Sequence, residues 1–266
     1  MSDAVFQAEH VDFRYPGGAV ALRDISFAVA AGERVAVLGA NGSGKSTLLH
    51  LLDGLYFADR GSISAFGTKL TQESLDTPPF SRQFRQQVGF VFQNCDAQLF
   101  CARVDEELAF GPLQLRLSQA EVEQRVSDIL KLLEIEHLRE RSPQRLSEGE
   151  KKKVALGSVL TCGPRVLLLD EPSAELDPRT QQWLVELLEL LHGSGVTLIT
   201  ASHDLGFVAE TADRALVLSE DHRLVRDAPA SEALGDRELL LSVNLIGAGA
   251  RLERALEPQD SRWCPD

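Results

Sequence analysis

The spacing of apolar positions changes several times along the chain, and each change marks an element. Residues 5–13 partly alternate between apolar and polar, and residues 33–38 (ERVAVL) form a short β-branched run that ends in glycine. Residues 5–38 therefore read as strands. The stretch from 46 to 55 is leucine-rich and helical in character, and residues 88–92 (VGFVF) are a further buried-strand candidate. The pattern then turns helical. Ser118-Gln119-Ala120-Glu121 is a capping box, and Val122, Val126, Ile129, Leu130 and Leu133 follow at helical spacing. Residues from about 94 to 160 thus read as a helical lobe. Strand chemistry returns at 166–169 (VLLL). Asp177 then caps a helix opened by Pro178, with Leu184, Leu187, Leu188 and Leu191 on one face. A strand at 196–201 completes a β-α-β alternation, which predicts an α/β fold with a mostly parallel sheet. One more short helix is expected after about residue 230, and the end, EPQDSRWCPD, reads as disordered.

Composition narrows the class. At 266 residues the chain can bury a sizeable core in one domain, or in one domain with an inserted lobe. Its 44% apolar and 25% charged residues are ordinary for a globular protein. A formal net charge of −13 argues against gripping a nucleic-acid backbone over a broad surface, although it leaves room for a local basic patch. No nucleic-acid partner is expected. Cys95, Cys101, Cys162 and Cys264 show no CxxC spacing, and no two histidines have metal-ligand spacing, so free thiols in a reducing cytosol are expected. The first fifteen residues have no basic start followed by an apolar core, so no secretion signal is expected. No apolar run approaches the roughly 18 residues of a membrane span. If the protein works at a membrane, a partner must cross it.

Gly39-Ala40-Asn41-Gly42-Ser43-Gly44-Lys45-Ser46-Thr47 fits GxxxxGK[ST], directly after a predicted strand and before a predicted helix. Chance would place that pattern in roughly one chain in a hundred of this length. Glycines let backbone N–H groups close on phosphate oxygens, and the helix start adds a favourable dipole. Lys45 can neutralise the β- and γ-phosphates and Ser46 can ligate Mg²⁺. A nucleotide site follows.

The strand at 166–169 runs into Asp170-Glu171-Pro172. Alternation along a strand points the two carboxylates in different directions, which allows two roles. Asp170 would hold Mg²⁺ and Glu171 would polarise the attacking water. His203 follows the next strand, after the acidic one in chain order.

A second phosphate-facing helix start is harder to place. Residues 146–160 read LSEGEKKKVALGSVL, with Ser147 as a good cap and Gly149 behind it, yet with Glu148 and Glu150 beside them. Together these motifs resemble the ATP-binding cassette family over about residues 4 to 228. Tyr15, thirty positions before Lys45, matches the adenine-stacking aromatic, and residues 39–47 match the Walker A loop. Gln93 matches the Q-loop glutamine, LSEGE the signature motif (usually LSGGQ), residues 166–171 Walker B, residues 173–177 the D-loop, and His203 the switch histidine. The resemblance implies an α/β P-loop NTPase (RecA-like) core with a mostly parallel sheet, an N-terminal antiparallel β subdomain and an inserted α-helical subdomain at about 94–160. Residues 1–230 would form the ATPase domain, and 231–266 a C-terminal helical extension and tail. It further implies a nucleotide site of Tyr15, Gly39, Asn41, Gly42, Ser43, Gly44, Lys45, Ser46 and Thr47, with Ser46, Gln93 and Asp170 on Mg²⁺. Glu171, His203, Lys45 and Gln93 would be catalytic. In the implied head-to-tail dimer, Ser147 and Gly149 of one subunit meet ATP held by the other, and Asp177 lies along the same interface. The second helix start therefore belongs to a neighbour's active site.

Glu148 departs from the usual glycine. A carboxylate about 4 Å from a phosphate charge, at an effective dielectric near 20, costs about 4 kcal/mol, against about 0.3–1 kcal/mol returned by the helix dipole. Glu148 therefore has to point away from the nucleotide. Lys151 and Lys152, three and four positions later, are placed to turn it aside; a solvated basic face is the alternative. Glu148→Gly is then expected to leave ATPase activity unchanged.

One short cassette without a membrane span resembles the ATPase subunit of a multi-chain transporter. The segment VGFVFQNCDAQLFCARVDEELAFGP, with FRYPGG, LLDGL and GEKKKVAL, resembles the energy-coupling-factor ATPases, closest to their cobalt/nickel-type subunits. Leu99, Phe100, Leu108 and Phe110 surround an acidic run there, and either bury in their own lobe or offer a groove to a partner's helix. The resemblance implies import driven by ATP hydrolysis, a second ATPase subunit, integral-membrane coupling and substrate-binding subunits, and a place on the cytoplasmic face of the membrane. A soluble assembly ATPase, as in iron–sulfur cluster biogenesis, is the alternative, and the Q-loop segment favours transport.

Overall fold

The computed structural model describes residues 4–247. Along them run strands β1 (Ala4–Arg14), β2 (Val20–Ala30), β3 (Arg34–Leu38), β4 (Arg60–Ala65), β5 (Thr68–Lys69), β6 (Val88–Val91), β7 (Val166–Asp170), β8 (Thr197–Ser202), β9 (Arg214–Leu218) and β10 (Leu224–Pro229). The helices are α1 (Lys45–Leu52), α2 (Gln72–Asp76), α3 (Phe80–Gln87), α4 (Val104–Gln114), α5 (Gln119–Leu132), α6 (Glu148–Leu160), α7 (Pro178–Gly193), α8 (Leu205–Thr211), α9 (Ala230–Gly235) and α10 (Arg237–Ser242). The antiparallel sheet has the order β2-β1-β4-β5. The second sheet, β10-β9-β3-β8-β7-β6, is parallel except for its edge pair β10–β9.

Strands β3 and β7 lie inside the parallel sheet and are covered on both faces, which is why VAVL and VLLL are continuous apolar runs. Alternation sends neighbouring side chains to different cores. Leu168 packs with α1 and the antiparallel sheet, among Phe6, Leu22, Ile25, Leu48 and Leu52. Leu167 and Leu169 pack on the opposite face with the helical lobe and α7. In that lobe α4, α5 and α6 meet at Gly157, where an added Cβ would stand 2.8 Å from Leu108, 3.0 Å from Leu133 and 3.1 Å from Ile129.

Two predictions need correction. The chain after residue 230 forms two short helices, not one, because Asp236 interrupts the first and caps the second by accepting from Leu239 N–H. Both pack on the parallel sheet, where Ala233 and Val243 join Ala36, Leu38 and Val217. Second, the apolar residues of the 99–110 stretch divide: Leu99 and Leu108 are buried, whereas Phe100 and Phe110 are exposed and meet edge-on at 4.9 Å. The terminal EPQDSRWCPD lies outside the described residues. Among the described residues no helix is long and apolar enough to cross a membrane.

Candidate active site

Parallel strands aim their C-terminal ends at one edge, so the loops after β3, β6, β7 and β8 gather there. The loop after β3 is the phosphate loop. Gly44 closes it at φ +109, a left-handed conformation, and a Cβ at that position would collide with the Ala21 carbonyl oxygen. Lys45 opens α1 with its side chain buried under the loop. Its Nζ donates to the carbonyls of Gly39 (2.9 Å) and Ala40 (3.4 Å) and lies 3.2 Å from Glu171 Oε1. Ser43 Oγ is buried without a hydrogen-bond partner among the described residues, which suits a loop shaped to bind phosphate oxygens. Asn41 and Gly42 are exposed at the loop tip.

The two acids at the end of β7 take different partners. Asp170 accepts a hydrogen bond from Ser46 Oγ at 2.9 Å. Burial raises its pKa, and the Ser46 bond and nearby His50 and Lys45 oppose that rise. Glu171 sits at φ +43, an uncommon conformation for a residue with a side chain, pinned by its N–H to the Ala201 carbonyl at 2.9 Å. Its Oε1 faces Lys45 and its Oε2 meets His203 Nδ1 at 2.9 Å. Lys45, Ser46, Asp170, Glu171 and His203 are thereby brought together.

Tyr15 reaches the same helix from β1's end. Its hydroxyl shares a hydrogen bond with Thr47 Oγ1 at 2.7 Å, and its ring meets Phe13 and Tyr56 edge-on at 5.3 and 5.8 Å. Phe13, Tyr15 and Tyr56 line a cavity of about 740 Å³ that includes no residue of the phosphate loop. Tyr56 and His50, which packs between Tyr56 and Phe90, carried no motif in the sequence. Gln93 is exposed just beyond β6.

Ser147, Gly149 and Asp177 form a separate group. Asp177 accepts from the N–H groups of Arg179 and Thr180 and from Thr180 Oγ1 (2.6 Å), while a Cβ on Gly149 would stand 3.0 Å from that same hydroxyl. The starts of α6 and α7 are thus packed against each other. Ser147 caps α6, and both its N–H and its hydroxyl donate to Glu150 Oε2 at 2.8 Å. This is the same S-x-x-E box that the sequence reveals at Ser118, so the role of Glu150 was legible. Ser147 holds its carboxyl below the usual range. Among the described residues no hydrogen bond or ion pair joins this group to residues 39–47.

The lysine pair resolves only in part as expected. Lys151 Nζ holds Glu148 at 2.9 Å and also Asp96 at 2.8 Å. Lys152 does not reach Glu148; it donates to the Gln93 carbonyl at 3.2 Å. Nor is this a solvated basic face, since Lys151 and Lys152 are buried and Lys153 lies over the Trp183 ring.

Comparison with known proteins shows the family and the fold. The family model described as ABC transporter matches residues 22–174. The nickel import ATP-binding protein NikO of Rhodobacter capsulatus is 48% identical over 244 residues, covering 91% of this chain and 95% of that protein. The energy-coupling factor transporter ATP-binding protein EcfA of Carboxydothermus hydrogenoformans is 41% identical over 234 residues, 88% of this chain and 84% of its own. Among solved structures, cbiO1 from Clostridium perfringens, part of the ABC transporter complex cbiONQ, superposes with a TM-score of 0.78 at 34% identity, covering 95% of this chain and 97% of that one.

Proposed function

The chain belongs to the ABC transporter family, whose ATPase subunits bind ATP and couple its hydrolysis to transport, and on that premise we propose that it powers an importer of energy-coupling-factor type. The cargo is a nickel or cobalt ion or a related micronutrient. Support for the type comes from the 88–112 segment and the relatives named for nickel import and energy coupling; support for the chemistry comes from one observation. A single buried carboxylate, Glu171, is held at one oxygen by Lys45 and at the other by His203, beside a phosphate loop.

In this reading the nucleobase stacks on Tyr15. The N–H groups of residues 39–47 and the Lys45 ammonium take the phosphates, where Ser43 Oγ gains its partner. Ser46 Oγ and Asp170 are hard oxygen donors 2.9 Å apart and suit Mg²⁺, with Gln93 completing the set from the loop after β6. The ion would neutralise phosphate charge as it develops. Phosphate oxygens draw Lys45 away from Glu171, leaving that carboxylate to orient the attacking water while His203 keeps its other oxygen engaged. Ser147 and the Gly149 backbone cover the ATP of a second ATPase subunit, with Asp177 nearby along the interface, so closure requires nucleotide and hydrolysis releases it. In this reading Phe100 and Phe110 offer an exposed aromatic pair to a membrane-spanning partner, and the subunit works on the cytoplasmic face of that membrane.

Glu171→Gln keeps the shape of the site and removes the water-orienting charge. The variant is expected to lose hydrolysis and to form an ATP-dependent dimer, measured by light scattering after size exclusion. A monomer at saturating Mg·ATP would count against the homodimer.

A further inference from the structure

Glu148 and Asp96 are exposed carboxylates on different elements, one in the first turn of α6 and the other in the turn that follows Gln93. Both are bonded to the same buried ammonium, Lys151 Nζ, at 2.9 and 2.8 Å. Lys151 is fixed from behind by its own helix, since its N–H donates to the Ser147 carbonyl at 2.8 Å. Two further side chains tie the same pair of elements together. Lys152 Nζ donates to the Gln93 carbonyl, and Gln98 accepts from Phe92 N–H at 3.1 Å while donating to the Ala155 carbonyl at 2.8 Å. One positive charge therefore answers two negative ones, and among the described residues it is the only hydrogen-bond or ion-pair partner of the Glu148 carboxylate. Without it, Asp96 and Glu148 would repel each other, and Glu148, in the first turn of α6, would be free to swing toward the N-terminus of its own helix.

We propose that Lys151 is a positioning residue for hydrolysis at the neighbouring subunit's site: it holds the Glu148 carboxylate against the Gln93 segment and so keeps it off the helix start that receives the neighbour's terminal phosphate. This inference rests on the dimer reading above and goes beyond it, because it assigns to a residue outside the phosphate-contacting set the task of making an acidic signature sequence workable. It also gives the ammonium a second effect. The α6 start is carried with the segment after Gln93, so movement of that segment in one subunit shifts the surface presented to the other's nucleotide.

The test uses the ATP-dependent dimer of the Glu171→Gln protein, with steady-state ATPase measured in the Glu171 background. Lys151→Ala is expected to raise the ATP concentration needed for dimerisation at least about tenfold and to lower ATPase activity by a similar factor, since the freed carboxylate faces phosphate charge. Adding Glu148→Gly to Lys151→Ala should restore both to within about twofold of the parent, a rescue that loss of structure would not allow. Lys151→Arg should stay near the parent. If Lys151→Ala dimerises like the parent, or if Glu148→Gly fails to rescue it, the assignment is overturned. Absence of an ATP-dependent dimer in Glu171→Gln alone overturns the dimer reading and this inference together.

Discussion

A carboxyl group can be buried because it is paired, as Glu171 is, or because the fold leaves it little choice, as at Asp53. Asp53 ends α1, and burial pushes its pKa up to about 7 against an opposing pull from Arg85. The folded state then binds a proton that the unfolded chain releases near pH 4. Stability is present below that range and is lost as pH climbs through about 7. Asp53→Asn is expected to flatten this dependence and to stabilise the protein at pH 8 by at most about 4 kcal/mol. Denaturant midpoints of both proteins at pH 5 and pH 8 check it; a parallel fall in the two would show that another group carries the loss. At this scale the sequence was informative wherever a residue's role is set by near neighbours. Lys45, Ser46, Asp177 and the caps at Ser118 and Ser147 depend on positions within a few residues. The division of labour between Lys151 and Lys152 does not. It turns on where the 93–96 turn lies, some fifty-five residues away along the chain, and no local pattern reports that.

Elements were legible for the same reason. Strands β3, β7 and β8 are short apolar runs bounded by loop residues, and α5 and α7 carry both caps and periodicity. The boundary between α9 and α10 was missed because Asp236 looks like one more polar helix position until its side chain turns back onto Leu239 N–H. Equally hidden was the meaning of Gly157, which in sequence is only a weak point in a helix. In the fold it lets α4 and α5 approach α6. Gly157→Ala gains helix propensity of up to about 1 kcal/mol but presses a methyl against three packed side chains, an overpacking cost of about 1–3 kcal/mol. A net loss of stability of about 1–2 kcal/mol is expected, measured by urea unfolding. Stabilisation would mean that the lobe has slack there.

For the molecule as a whole, the apolar surface that remains outside is as informative as the core. Phe100 and Phe110 stand out from the helical lobe, and Phe100 is presented by a turn whose N–H groups, those of Phe100 and Cys101, donate to the buried Glu107 at 2.9 and 2.7 Å. A surface held this firmly does not collapse onto its own lobe. Phe100→Ser with Phe110→Ser is expected to leave the ATPase site intact while cutting co-purification of multi-span membrane proteins from detergent-solubilised cells at least about fivefold, the change that corresponds to losing interface anchors worth about 1 kcal/mol in total. Recovery of soluble partners only, by the unmodified protein, would favour the assembly-ATPase reading instead.

The position of β3 in the parallel sheet sets a schedule for synthesis. Val35 pairs with Ile199 on one side and with Arg214 on the other. A ribosome adding about 5–20 residues per second needs on the order of ten to thirty seconds to deliver those partners after Val35 has emerged. Throughout that interval the strand that aims the phosphate loop has neither neighbour, and Glu171 and His203 arrive late as well. Cellular ATP, however abundant, has no finished pocket on the nascent chain. Nucleotide can reward only a polypeptide that is nearly complete, and a truncated product that still carries the whole GxxxxGKS motif stays blind to it.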